Sequence, residues 1–189
     1  LWILNEAKDK YVLFADVRGE GGWRFNRKIG ETGDVPTGSG TDIAAFNGGT
    51  FDDGALHRMN MVADGKTVKL FLDGIQGTEV KFPFSKVIFQ FGSYARANND
   101  TADTTWDNIR IETNLKTSIV FSDDFSSNTL PPSKYEPDAP FFEGGKGDIH
   151  AEAGNGVLKF VGTTSQQWWS GGTVRVVPTF AASEQTPVS

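Results

Sequence analysis

The sequence predicts an all-β protein, folded as an antiparallel two-sheet jelly-roll sandwich. Short runs in which apolar and polar residues alternate recur along the 189 residues, and turn signals separate them at roughly ten-residue spacing. No window shows the sustained periodicity of a helix. The 22 glycines and the aromatic content of 12% suit a folded β protein with many turns. One sandwich with a single core is therefore the expected architecture.

The first strands are predicted at residues 11–17 and 22–30, with glycines interrupting the apolar pattern between them. Residues 34–42 follow as a polar, glycine-rich loop outside the core. The apolar run at residues 1–4 is typical of a strand interior. From this start we expect a cut or processed chain.

The clearest local signal is a hairpin at residues 57–74, where two alternating runs flank Asp64-Gly65. This dipeptide favours the left-handed backbone of a tight hairpin turn, and Asp73-Gly74 supplies a second turn. One face of each strand is predicted to point to the core, with Met59, Met61 and Ala63 on the first strand and Val68, Leu70 and Leu72 on the second.

The rest of the chain continues the same rhythm of short strands and polar turns. A strand is predicted at residues 87–91, after Pro83, which cannot donate a hydrogen bond to a β ladder. The polar segment 97–105 is predicted to be a loop. Further strands are expected at residues 106–112, 119–125, 156–162 and 173–180.

Charge and composition exclude several classes of function. The net charge of −6 disfavours nucleic acid as a partner, because binding to a phosphate backbone depends on clustered Lys and Arg. The chain has no cysteines, so it has no disulfides and no Cys-ligated zinc. No apolar run approaches the roughly 18 to 20 residues that a membrane-spanning helix needs, so membrane insertion is not expected.

Two sets of segments resemble the concanavalin A-like lectin/glucanase superfamily, in particular its laminin-G-like jelly-roll domains. HRMNMVADGKTVKLFLDG and FQFGSYARANNDTADTTWDNIRIE are similar to the closing half of such a domain. VFSDDFSSNTLPPSKYE, GNGVLKFVG and WWSGG are similar to the opening half. The resemblance places the closing half at residues 1–113 and the opening half at residues 114–189, so the two halves stand in inverted order and together equal one domain.

Two arrangements explain the inverted order. In a circularly permuted sandwich, residues 106–112 and 119–125 pair as neighbouring antiparallel strands within one chain. In a segment cut from a tandem array, each half is completed by another chain or repeat, because half a sandwich exposes an unpaired edge. Head-to-tail completion of this kind produces a fibre.

The resemblance also implies a structural calcium ion. Asp107 lies where related sandwiches carry a carboxylate ligand, and Asp123 or Asp124 lies on the strand expected beside it. Calcium takes several oxygen ligands, including backbone carbonyls, which the turn that begins at Gly154 can offer. The alternative is that these carboxylates only cap turns.

Sugar binding needs exposed aromatic faces and planar polar groups. The candidate ligand-binding residues are Trp23, Arg27, Tyr94, Arg96, Trp168 and Trp169. Tryptophan in a sandwich also fills the core, and strand alternation sends one of the two adjacent tryptophans inward.

Catalysis is disfavoured, and no catalytic residue is assigned. The E-x-D-x-E motif that glucanases of this superfamily carry is missing from the sequence. A lyase would use His57 or His150 with Tyr94 and Arg96. The sequence therefore predicts a non-catalytic, extracellular or cell-surface module, calcium-stabilised, that binds carbohydrate or acts as an adhesive. The alternatives are a structural subunit of an extracellular fibre, with copies of itself as partners, and a polysaccharide-degrading enzyme.

Overall fold

The computed structural model describes residues 1–17, 22–28, 42–43, 55–95, 99–113, 118–137, 148–165, 170–183 and 188. For residues 14–17, 22–28, 42–43, 78, 94–95, 113, 118–120 and 170 the description is of the backbone. Every regular element in these ranges is a β-strand, which confirms the all-β prediction.

The strands follow one another in short segments. Their bounds are β1 Trp2–Asn5, β2 Tyr11–Val17, β3 Gly22–Lys28, β4 Asp42–Ile43, β5 Met59–Ala63, β6 Thr67–Leu72, β7 Ile75–Lys81, β8 Lys86–Ala95, β9 Thr101–Trp106, β10 Ile109–Thr113, β11 Ser118–Asp123, β12 Tyr135–Pro137, β13 Ile149–Gly154, β14 Val157–Thr163, β15 Ser170–Val176 and β16 Phe180–Ala181.

The largest sheet joins strands from both ends of the chain. Its order is β12-β15-β8-β1-β2-β3-β4, and β16 pairs with β8 beside this path. All the pairings between its described strands are antiparallel. Strands β12, β15 and β16, from the second half of the chain, therefore lie in the same sheet as β1, β2, β3, β4 and β8.

Three smaller antiparallel sheets complete the described structure. Their orders are β10-β11, β13-β14-β9 and β5-β6-β7. The pairing of β10 with β11 runs from Ile109 opposite Asp123 to Thr113 opposite Ser118. The pairing that the circularly permuted arrangement expects between residues 106–112 and 119–125 is thus present within the chain over Ile109–Thr113 and Ser118–Asp123, while Asp107 and Asn108 lie outside the strands.

The main core lies between the large sheet and the smaller ones, which is the layering of a β sandwich. Residues from both sequence halves contribute to it, and alternate positions along each strand supply the buried side chains. Its members include Ile3, Val12, Met61, Leu70, Phe89, Ile111, Phe121, Phe160, Val174 and Val176. A second buried cluster contains Trp2, Leu4, Tyr11, Leu13 and Ile88, which alternate with the first set along β1, β2 and β8.

The predicted hairpin of β5 and β6 is confirmed, including its core face. Val68, Leu70, Met61 and Ala63 are almost fully buried, and Met59 packs against the core. The turn spans four residues because the Asp64 carboxylate accepts hydrogen bonds from the Lys66 and Thr67 amides.

Two predicted segments were wrong in detail. The polar segment 97–105 was predicted to be a loop, but β9 occupies its second half and pairs with β14 from Thr101–Thr163 to Trp106–Leu158. Ala102 is buried in this strand, and its threonines suit a pleated, half-exposed surface. The predicted strand 173–180 is divided into β15 and β16, because Pro178 cannot donate to a ladder.

Candidate functional site

A cleft of about 580 Å³ opens on the face of β5 and β6 that points away from the core. It is lined by Arg58, Asn60, Val62, Phe71, Asp73 and Gly74. Its volume lies within the range of about 300 to 1,000 Å³ that small-molecule sites occupy.

Strand alternation explains why these side chains share one face. Met59 and Met61 of β5 face the core, so Asn60 and Val62 face the opposite way. The pairing register places Asn60 directly opposite Phe71 of β6. Both side chains are half-buried, so the cleft has an aromatic side chain beside an amide in its floor.

Asp73 lies in the turn between β6 and β7 and stabilises that edge of the cleft. Asp73 and Gly74 both have positive φ, 51° and 81°, as the two central residues of a type I′ turn require. The Asp73 carboxylate accepts a hydrogen bond from the Arg58 amide at 2.8 Å, and its other oxygen lies 2.9 Å from His57 Nδ1. These contacts fix the start of β5 against the end of β6.

Two polar groups of the cleft lack an ion-pair or hydrogen-bond partner among the described residues. The guanidinium of Arg58 makes no ion pair with any residue in the described ranges. The Asn60 side chain has a buried amide atom, Oδ1, without a hydrogen-bond partner among those residues. A buried polar atom of this kind is costly unless a ligand or water satisfies it.

Asn60, Phe71 and Asp73 are not among the ligand-binding residues predicted from the sequence. A signal was present, because Val62 and Phe71 are apolar residues at the polar positions of two alternating strands. These two residues make part of the solvent face of the hairpin apolar.

The predicted sugar-binding residues fall at separate places. Trp23 and Arg27 belong to β3, and Tyr94 belongs to β8, opposite Gly171. Two strands, β1 and β2, lie between β3 and β8, so the two backbones are roughly 14 Å apart at the usual strand spacing. Arg96, Trp168 and Trp169 lie outside the described residues. Ala95 and Ser170, which adjoin Arg96 and Trp169 in sequence, are paired.

The predicted metal ligands come together at one corner of the fold. Trp106 pairs with Leu158 of β14, and Ile109 pairs with Asp123 of β11. Asp107 lies in the short connection between these two pairings. It therefore crosses from one sheet to the next beside the end of β11.

The turn after Gly154 reaches the same corner. A Cβ atom built on Gly156 would lie 3.7 Å from the backbone oxygen of Asp124, and the Gly156 amide donates to the Phe125 oxygen at 3.2 Å. Asn155 and Phe125 both adopt positive φ at this contact. The turn and the residues that follow β11 are thus packed backbone to backbone.

Both oxygens of the Asp123 carboxylate accept hydrogen bonds from other groups of the protein. One oxygen accepts from the Phe125 amide at 2.8 Å, and the other accepts from the Tyr135 hydroxyl at 3.0 Å and the Lys134 ammonium at 3.2 Å. No group of three metal-ligating acidic or histidine side chains occurs in the part of the chain that the structure describes. A calcium ion, which takes several oxygen ligands, would therefore compete with the Lys134 ammonium for the Asp123 carboxylate.

Two pKa shifts accompany this arrangement. Burial, and then the hydrogen bond to Asp123 and its charge, raise the pKa of the Tyr135 hydroxyl far above its usual value. Hydrogen bonds from Ser126 lower the pKa of the exposed Asp124 carboxyl.

Comparison of the sequence with models of known protein families and with curated proteins finds no match. Within the described ranges, no helix is long and apolar enough to cross a membrane.

Proposed function

We propose that this chain is a non-catalytic β-sandwich module that binds carbohydrate in the cleft of β5 and β6, as part of an extracellular or cell-surface protein. The observation that carries this proposal is that an aromatic residue, an arginine and an asparagine, Phe71, Arg58 and Asn60, line one cleft.

These groups match the chemistry of a sugar. The C–H face of a pyranose ring packs against an aromatic ring, and Phe71 presents one. Hydroxyl groups donate and accept hydrogen bonds, so a sugar hydroxyl can satisfy either atom of the Asn60 amide. Planar side chains such as Arg58 and Asn60 fix the ring's orientation.

A binding role is supported over hydrolysis by the number of carboxylates in the cleft. Glycoside hydrolysis uses two carboxyl groups on either side of the scissile bond, about 5 to 9 Å apart. Among the described lining residues, Asp73 alone carries a carboxylate, and both of its oxygens are hydrogen-bonded.

The finer fold belongs to the same proposal. A concanavalin-like jelly roll with its halves in inverted order requires strands from the end of the first half to pair with strands of the second. The pairing of β10 with β11, of β9 with β14 and of β8 with β15 supports this arrangement.

The test is glycan binding by the wild-type chain and two matched variants. Phe71→Ala removes the aromatic floor of the cleft, whereas Ile75→Ala removes a side chain that is 68% exposed on the next strand and does not line the cleft. We expect saturable binding that Phe71→Ala abolishes and Ile75→Ala keeps. Circular dichroism and the melting temperature establish that both variants are folded. Failure of the folded wild-type chain to bind every glycan of a broad array would contradict the proposal.

A further inference from the structure

Resting on the proposed carbohydrate site, we infer that the cleft of β5 and β6 selects a sugar unit that carries one carboxylate, such as a hexuronate, over its neutral counterpart.

Arg58 supplies the selectivity. Arg58 lines the cleft, its backbone amide donates to Asp73, and its side chain makes no ion pair with a described residue. A guanidinium presents parallel N–H donors that match the two oxygens of a carboxylate. A neutral hydroxyl can use only part of this fork, so a carboxylate is the better partner for Arg58.

The remaining groups require a sugar around that carboxylate. The buried Asn60 Oδ1 accepts hydrogen bonds, so it needs a donor, which a ring hydroxyl provides. Phe71 and Val62 offer apolar surface to the C–H face of the ring. A small inorganic anion would pair with Arg58 but would leave these groups without a partner.

The other charges of the molecule limit how acidic the ligand can be. Asp73 carries a negative charge at the edge of the cleft, and the whole chain has a net charge of −6. A densely charged polymer, such as a nucleic acid or a highly sulfated glycan, is repelled by this field. A glycan with one carboxylate on each sugar has a lower charge density. It can place a single carboxylate on Arg58 with less repulsion from the protein.

The experiment compares two oligosaccharides with the same linkage and length, one built from a hexuronate and one from the corresponding neutral hexose, by isothermal titration calorimetry. The wild-type chain should bind the uronate about tenfold or more tightly than the neutral sugar. Arg58→Met should weaken uronate binding by about tenfold to a hundredfold and leave neutral-sugar binding nearly unchanged. Arg58→Lys keeps the charge without the planar fork, so its uronate affinity should lie between those of the wild type and Arg58→Met.

Arg110→Met is the matched control, because it removes the same charge from an exposed arginine of β10, which pairs with Glu112 away from the cleft lining. Its uronate affinity should equal that of the wild type. Equal affinity for the two oligosaccharides, or equal losses in Arg58→Met and Arg110→Met, would overturn the inference and leave the carbohydrate site standing. Binding of neither oligosaccharide, nor of any other glycan, would overturn both.

Discussion

Gly65 and Ala182 approach so closely that a side chain at position 65 has no room. A Cβ atom built on Gly65 would lie 2.7 Å from the Ala182 backbone oxygen, and Gly65 has a φ of 84°. The turn of the β5–β6 hairpin is therefore shaped both by its own backbone and by the segment that follows β16. Ala63, just before this turn, exchanges two backbone hydrogen bonds with Val188.

The first prediction compares two glycines of the same hairpin. Gly74 has a nearly identical φ of 81°, but a Cβ atom there would meet nothing within 4 Å. Gly74→Ala should cost only the backbone strain, about 1 to 2 kcal/mol of unfolding free energy. Gly65→Ala should cost at least about 1 kcal/mol more, because the segment at Ala182 must move. Urea denaturation measures the unfolding free energy of both variants. Equal losses of unfolding free energy would show that the contact between Gly65 and Ala182 has no energetic effect.

The second prediction concerns the hydrogen bond from Tyr135 to Asp123. Tyr135 is 1% exposed, and its hydroxyl donates to a carboxylate, so Tyr135→Phe should lower the unfolding free energy by about 1.5 to 3 kcal/mol. The control is Lys134→Met, which removes the second partner of the same oxygen. The Lys134 side chain is 45% exposed, so its ion pair should contribute less than about 1 kcal/mol. If Lys134→Met lowered the unfolding free energy more than Tyr135→Phe, the prediction would be wrong.

The third prediction concerns calcium, which the family resemblance implies at the corner of Asp107, Asp123 and Asp124. Lys134 already supplies a positive charge to Asp123. Chelation by EDTA should therefore leave the melting temperature of the wild-type chain unchanged. Lys134→Met leaves Asp123 without its cation, so any stabilisation by added calcium should be larger in this variant. A calcium-dependent rise in the wild-type melting temperature, lost in Asp107→Asn, would show that a calcium site forms despite Lys134.

The sequence predicted most reliably what depends on neighbouring residues. The β5–β6 hairpin was predictable because alternation and two Asp-Gly turns act within about twenty residues. Strand β9 was missed because its threonines and Asp103 are polar, and its partner β14 lies far along the chain. Long-range pairing decides whether such a polar segment is a strand or a loop.

The candidate site was harder to predict than the fold. Residue type alone favours tryptophans as ligand-binding residues, above all Trp23, Trp168 and Trp169. The composition of the cleft depends instead on strand register, which places Asn60 opposite Phe71. It also depends on the β6–β7 turn, where Asp73 accepts a hydrogen bond from the Arg58 amide. A register of this kind follows from the length of the Asp64–Thr67 turn, and residue type alone does not reveal it.

The fourth prediction concerns the pH dependence that Glu136 gives to stability. Burial alone would raise the pKa of Glu136, but the charge and hydrogen bond of Arg175, with a smaller effect of Lys8, lower it below its usual 4.5. Arg175 is buried, and its Nη1 donates to Glu136 at 2.9 Å while its Nε donates to Gln90 at 3.0 Å. A carboxyl with a lowered folded-state pKa stabilises the fold above its unfolded value and loses this contribution as the pH falls through the folded value.

Unfolding free energies measured between about pH 3 and pH 6 should therefore fall more steeply with acid in the wild type than in Glu136→Gln, with the difference confined to the region below about pH 4.5. Other carboxyl groups, including Asp64 and Asp124, act in the same direction, so only the difference between the two curves reports on Glu136. Glu79→Gln, which removes a more distant partner of Lys69 at 4.0 Å, controls for the change in net charge. Parallel curves for the wild type and Glu136→Gln would mean that Arg175 is held by Gln90 alone and that its contact with Glu136 adds no stability.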